Sequence, residues 1–273
     1  MRTDHLRALT HDPVVMTRIA AVHALGDIWA MGAKPQAATA SLILPRMSAI
    51  LQERTMAEIM AAASDVFADA GGRIVGGHSS LGDELTIGFT VTGLTKAPIT
   101  LAGAKPGDRL IITKPIGSGT IMAAEMAGKA KGADVINCLA LMVQDQAKAS
   151  VILNKAHAMT DITGFGLAGH LRGICEASGV GATLDLDAIP LMDGALSLSA
   201  AGVRSSLFDD NQIGAGVISG PSIDLLFDPQ TAGGLLAAVS ARSANAALKK
   251  LQDAGHDAAV IGAITAGSEI KTR

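Results

Sequence analysis

The stretch Thr160–His170, reading Thr-Asp-Ile-Thr-Gly-Phe-Gly-Leu-Ala-Gly-His, constrains this chain more than any other. A short apolar segment, Ala156–Met159, runs into Asp161, and Gly164, Gly166 and Gly169 then open a helical pattern. A carboxylate held just before a glycine-relaxed turn and a helix start is placed to reach a metal ion. The free N–H groups of that helix start face an anion. The pattern therefore points to Mg²⁺-phosphate chemistry. Two plainer roles compete with it. Asp161 could be the N-cap of the following helix, and the glycines could simply permit close packing.

Whatever surrounds this turn must be built from aliphatic material. Of 273 residues, 49% are hydrophobic and 17% charged, with 31 Gly but only 5 Phe, 1 Trp and no Tyr. That length suits one large domain or two smaller ones. So few aromatics give little support to stacking on bases. A net charge of −3 argues against a nucleic-acid or membrane-surface partner. Cys138 and Cys175 define neither a disulfide framework nor a zinc site, and both sit in helix-like apolar patterns that favour burial. No run approaches the roughly 20 apolar residues that span a bilayer. The start is polar and basic, without an apolar signal region. A soluble protein in a reducing, cytoplasmic setting is the expectation.

Asp12-Pro13 followed by Val14–Met31 reads as a capped helix with Pro at its first position. Gln36–Leu44 reads as a strand, and Ser48–Ala70 as a long helix stopped by Gly71-Gly72. Arg73–Val75 reads as a short strand entering a Gly76-Gly77-His78-Ser79 turn, and Leu85–Leu94 as a further strand. The order helix, strand, helix, strand, strand makes an α+β unit. Lys96–Asp108, with Pro98 and Pro106-Gly107, is a turn-rich joint, and we place the domain boundary there, dividing residues 1–97 from 98–273. The second unit reads as a strand at Arg109–Ile112, a loop Lys114–Gly119 into a helix, and a helix through Val143 and Val151. The Asp161 turn and its helix come next, then strands at Ala182–Leu186 and Leu235–Val239, a loop-rich Gly202–Pro221, a helix Ala244–Gly255 and a last strand Ala258–Ile264.

Several acids and loops stand out beside Asp161. Asp27 lies among Ala24-Leu25-Gly26 and Ile28-Trp29-Ala30-Met31, where an acid is costly to bury without a cation or donor. It is either a metal or phosphate ligand or an exposed helix-face carboxylate. Asp4 is either a site residue or part of a frayed end. Backbone N–H groups at Gly76–Ser79 could cradle phosphate or form a simple turn. Lys114–Gly119 lacks the Gly-Lys-Ser/Thr ending of a P-loop and is rejected as one. Asp228-Pro229-Gln230-Thr231 reads as a structural turn with local Asp hydrogen bonds. Mg²⁺ explains the carboxylates better than zinc, since it wants hard oxygen ligands completed by phosphate and water.

Taken together, these runs resemble selenophosphate synthetase (selenide, water dikinase). The matching pieces are Thr3-Asp4-His5, Arg18-Ile19-Ala20-Ala21, Asp27–Gly32, Gly76–Ser79, Val91-Thr92-Gly93, Leu110–Gly117, Met159–Gly169 and Asp228–Gly234. They occur in the family's order and cover nearly the whole chain. The resemblance implies a two-domain α+β fold of the aminoimidazole ribonucleotide synthetase type, a homodimer through the first domain, and ATP in a cleft between domains. It implies conversion of ATP, selenide and water to selenophosphate, AMP and phosphate. Carried over by position, Asp27 and Asp161 match Mg²⁺-binding aspartates, and Asp4 an acid facing the nucleotide phosphates. Gly77, His78 and Ser79 match a nucleotide-binding loop given by the partner subunit.

The same resemblance marks three departures. The family's glycine-rich arm, with its Cys or selenocysteine, a phosphate lysine and another Mg²⁺ aspartate, is expected upstream of Met1, so no catalytic residue is assigned on this chain. His23 stands where the family usually has Asn, and Gly26 where it has Ser. Ser80-Leu81-Gly82-Asp83 is a shortened version of the family's segment. Two other functions stay open: a non-catalytic nucleotide-binding or dimerisation module, and another ATP-dependent synthetase or kinase of the same fold.

Overall fold

Asp12 accepts the N–H groups of Val14 and Val15, and Pro13 supplies a preset φ, so the first helix starts where the sequence says it must. The computed structural model describes all 273 residues. Its first part holds β1 (Arg2–Arg7), α1 (Pro13–Ala30), β2 (Lys34–Pro45), α2 (Ala49–Asp69), β3 (Arg73–Gly82) and β4 (Thr86–Leu94). The four strands form one sheet in the order β1-β4-β2-β3, with only the β2–β3 pair parallel. Alternation along β2 and β4 turns Ala38, Ala40, Leu42, Leu44, Ile87, Phe89 and Val91 into the core. Phe67 of α2 meets Phe89 edge-on at 5.1 Å between ring centres.

The second part holds β5 (Arg109–Ile112), α3 (Ser118–Met126), α4 (Gly132–Val143), α5 (Ala147–Ile152), β6 (Ala158–Asp161), α6 (Gly166–Ser178) and β7 (Gly181–Leu184). It continues with α7 (Ala195–Ala200), α8 (Phe208–Ala215), β8 (Ile218–Ser219), β9 (Leu235–Val239), α9 (Ala241–Asp253), β10 (Ala259–Thr265) and β11 (Ile270–Thr272). Its seven strands run β6-β9-β5-β10-β7-β11-β8 in a mixed sheet. The fold is thus α+β with two sheets, as expected.

Helix α1 joins the two parts. It is apolar around most of its circumference, so no face of it suits water. It packs on the first sheet and α2 on one side, and on α4, α5 and β6 on the other. The Ser150 hydroxyl donates to the Trp29 carbonyl at 2.6 Å across this joint. Residues 53 in number form one buried cluster that runs through both sheets.

Four expectations are corrected. Gly76-Gly77-His78-Ser79 is not a turn: it lies inside β3, paired with Thr39–Leu42. Gly77 is needed there because a Cβ would collide with the Ala40 carbonyl. The helix through Val143 and Val151 breaks into α4 and α5, since Asp145 Oδ1 takes the Ala147 N–H at 2.9 Å and offers the backbone a local alternative. The loop-rich Gly202–Pro221 contains α8, whose Phe208 packs edge-on against Phe227. Four strands went unread: β1, whose Asp4 is no frayed end but pairs with Phe89, and the short β6, β8 and β11.

Candidate active site

Strand β1 and helix α1 bring the first acids together. Arg2 and Asp4 are two apart on β1 and so share a face. Arg2 Nε lies 3.2 Å from Asp4 Oδ2 and 2.9 Å from Asp27 Oδ2 on the last turn of α1. Asp27 is half-buried; burial raises its pKa and the Arg2 guanidinium opposes the rise.

The third acid comes from the other sheet. Asp161 ends β6, an edge strand set against α1, and is 5% exposed. The contact depends on Gly26: a Cβ there would stand 2.6 Å from Asp161 Oδ2. That close approach accounts for a residue without a side chain just before Asp27. Burial, then the Asp27 charge, pushes the Asp161 carboxyl up to about 7. Its hydrogen-bond support is its own backbone N–H. Asp161 is not an N-cap, because that place in α6 belongs to Phe165 and no side chain caps the helix. The Gly166 N–H at the start of α6 is taken instead by the Thr163 carbonyl, at 3.0 Å.

The Asp228–Gly234 run lies against this turn. Ile162 N–H donates to Gly234 O at 2.8 Å and Gln230 N–H to Thr163 O at 3.0 Å. Ala232, the one non-glycine residue with positive φ, at 49°, is held at both ends. Its N–H donates to His23 Nδ1 at 3.0 Å, and its carbonyl accepts from Lys114 Nζ at 2.8 Å. His23, standing on α1, therefore bonds across the two parts of the molecule. An asparagine oxygen would accept equally, which gives the departure at this position a physical reading. Burial lowers the His23 pKa and so favours the neutral ring that can accept. Lys114 is 1% exposed and burial lowers its pKa to about 7.

Asp228 is a turn residue, but its bonds are not only local. Besides Gln230 Nε2 it binds Gly119 N–H at 3.0 Å and the Thr120 hydroxyl at 2.8 Å, from the start of α3. Gln230 Oε1 takes the Gly117 and Ser118 N–H groups, so the Lys114–Gly119 loop has no free cradle for phosphate. Gly77, His78 and Ser79 are exposed on β3, at the opposite edge of the first sheet from Asp4, about 14 Å away by strand spacing. The chain does not bring them to its own three acids. Cys138 and Cys175 are buried in α4 and α6, and burial pushes their thiols up to about 12 and about 11. Sequence reasoning missed Arg2, whose partner strand lies some 85 residues on. It also missed the Lys114 contact.

The donor set suits a hard cation. Two carboxylates from separate parts of the fold lie close enough for the Asp27 charge to raise the Asp161 pKa, and Arg2 is the side-chain cation bonded to Asp4 and Asp27. No cluster of three or more His, Cys, Asp or Glu side chains encloses a metal. A Mg²⁺ ion fits this pattern, because it commonly takes one or two carboxylates and completes its shell with phosphate and water.

Comparison with known proteins places the chain in a family. Residues 1–95 match the family described as AIR synthase related protein, N-terminal domain, and residues 105–273 match its C-terminal domain. The selenide, water dikinase of Geobacter metallireducens is 36% identical over 96% of this chain and 78% of its own length. That of Myxococcus xanthus is 39% identical over 97% and 78%. In structure, thiamine-monophosphate kinase from Stenotrophomonas maltophilia superposes with a TM-score of 0.75 at 21% identity, over 99% of this chain and 84% of that one. The E. coli hydrogenase maturation protein HypE gives 0.75 at 19% identity, over 99% and 81%. These two share the fold. No helix of this chain is long and apolar enough to cross a membrane. With acids from both sheets meeting at α1 and relatives of this similarity across nearly its full length, the chain belongs to the selenide, water dikinase family of AIR synthase-related proteins.

Proposed function

We propose that this chain is a phosphotransferase that turns ATP, selenide and water into selenophosphate, AMP and phosphate, with Mg²⁺ as cofactor. One observation carries the reading: Asp161 is buried against Gly26 and faces Asp27, with too few hydrogen bonds to hold its charge. Asp27 and Asp161 would hold the ion, and Asp4 would face the nucleotide phosphates. Held there by Asp27 and Asp161, Mg²⁺ would supply charge neutralisation for the nucleotide phosphates. The chain's own residues do the positioning. Arg2 keeps Asp4 and Asp27 together, and the Ala232 strap fixes one sheet against the other. Selenide is the nucleophile towards the γ-phosphoryl group, and a later hydrolysis releases the β-phosphate.

In this reading residues 1–97 serve dimerisation and nucleotide binding, and 98–273 complete the cleft. A second copy pairs through the first sheet, where β3 is an edge strand exposed along nearly its whole length. Gly77, His78 and Ser79 of β3 would then reach the other copy's nucleotide. The setting proposed is the cytoplasm.

A second reading has an observation of its own. Both cysteines are buried with raised thiols, and Lys114 is enclosed, so nothing near the acids resembles a nucleophile-handling group. The chain would then bind Mg²⁺ and nucleotide without completing the reaction by itself. Calorimetry with ADP, with and without Mg²⁺, and phosphorus NMR after anaerobic incubation with ATP, Mg²⁺ and selenide separate the two. Selenophosphate formation supports the first, and Mg²⁺-dependent binding without turnover the second. Binding indifferent to Mg²⁺ overturns both. Light scattering that finds a monomer of 27.6 kDa at micromolar concentration overturns the dimer.

A further inference from the structure

The end of β6 poses a local problem. After Asp161 the chain leaves the sheet and turns into α6 within a few residues, so neither strand nor helix supplies partners for the turn. A single imidazole supplies them. His170 sits one turn into α6, and helical side chains lean back towards their own N-terminus, so its ring returns over the turn. Its Nε2 accepts the Thr163 N–H at 2.9 Å and lies 3.2 Å from the Thr163 hydroxyl. An Nε2 that accepts leaves the hydrogen on Nδ1. Nδ1 points at the Thr160 hydroxyl, 3.4 Å away, and that hydroxyl donates to the Asp161 carbonyl at 3.1 Å. The Phe165 ring covers the imidazole at 5.7 Å between centres.

We infer that His170 is a positioning residue for Asp161: it closes the Thr160–Thr163 turn from both sides and so fixes where the carboxylate points. Asp161 itself has no side-chain partner to orient it, and its contact with Gly26 leaves no slack. Its direction is therefore inherited from the backbone on either side, which His170 ties at Thr160 and at Thr163. The spacing of the opening motif follows: the His must come seven residues after the amide that it binds, one turn into the helix that the glycines allow to begin. The inference rests on the Mg²⁺ reading of Asp161 only for its binding readout.

Three measurements on the full chain test it. Nitrogen NMR at neutral pH should show His170 as the Nδ1–H tautomer; the Nε2–H tautomer overturns the inference. Hydrogen exchange at the Thr163 amide should accelerate in His170→Ala and stay slow in His170→Gln, whose Oε1 can stand near the Nε2 position; equal exchange in wild type and H170A overturns it. Mg²⁺-dependent ADP affinity should fall about 10–100-fold in H170A, the scale for lost outer partners of a metal ligand. H170Q should retain most of it, and Mg²⁺-free nucleotide affinity should hardly move. An H170A protein with unchanged Mg²⁺ dependence, or with equal losses in both conditions, overturns the positioning role. If H170A does not fold, Thr160→Val, which removes the other tie, is read in its place: a several-fold loss supports the inference and none overturns it. If wild type itself shows no Mg²⁺ dependence, the reading of the site fails, while tautomer and exchange still decide for or against His170.

Discussion

Asp161 and Asp228 are both buried carboxylates in the second sheet's half of the molecule, and both have raised pKa values, yet their surroundings are opposite. Asp228 receives a main-chain N–H, a hydroxyl and an amide, from Gly119, Thr120 and Gln230. Asp161 receives its own N–H and faces Asp27. A buried charge is tolerated when donors surround it and stays costly when a second charge of the same sign does. Asp228 therefore reads as a brace that ties α3 to the Asp228–Gly234 run. Asp161 reads as a place kept for a cation. The difference lies in the partners and not in the depth of burial.

The largest effect that bears on this contrast is a pH dependence. Both carboxyls have folded pKa values above the ordinary 3.8, at about 6 for Asp228 and about 7 for Asp161. A raised folded value means that stability is fully present below about pH 4 and is lost as pH rises through 6 to 7. Shifts of two to three units correspond to about 3–4 kcal/mol each. Thermal unfolding without metal should therefore lose Tm over this window. Excess Mg²⁺ with ADP should restore the part due to Asp161 and leave the part due to Asp228, and a curve that Mg²⁺ does not alter breaks the contrast.

Next in size, Asp228→Ala leaves several buried donors unpaired and should cost about 3 kcal/mol of stability, read by denaturant unfolding. Asp161→Ala should do the reverse: stability at pH 8 is unchanged or higher, while Mg²⁺-dependent ADP affinity falls by about 1–3 kcal/mol in calorimetry. Similar stability losses in both variants would mean that the two acids do the same job. The smallest expected effect is at the strap. His23→Ala should cost about 1–2 kcal/mol by leaving the Ala232 N–H unpaired, and His23→Asn should recover much of it. Emission from Trp29, the only tryptophan, reports whether α1 has shifted at the joint.

Much of this was legible in order along the chain. Asp12-Pro13 and Ser48 fix helix starts through local hydrogen bonds, so α1 and α2 lie where the sequence put them. The Asp161 turn and its helix were legible from the glycines that open them, although no side chain caps that helix. β1 was not, because a polar edge strand earns its structure from β4, far along the chain. Gly76–Ser79 misled for a related reason: glycines that look like a turn are there to let β2 approach closely.

The sequence by itself determined the α+β plan, the capped first helix, and Asp27 and Asp161 as candidates, since caps, periodicity and spacing act over short distances; Asp4 came from the family resemblance. Only the tertiary structure decided which of them meet. Gly26 had to be seen against Asp161, Arg2 between Asp4 and Asp27, and His23 against Ala232, because each contact joins residues that the chain keeps far apart. A carboxylate's chemistry is set by the neighbours that burial gives it, and those neighbours arrive from elsewhere in the fold.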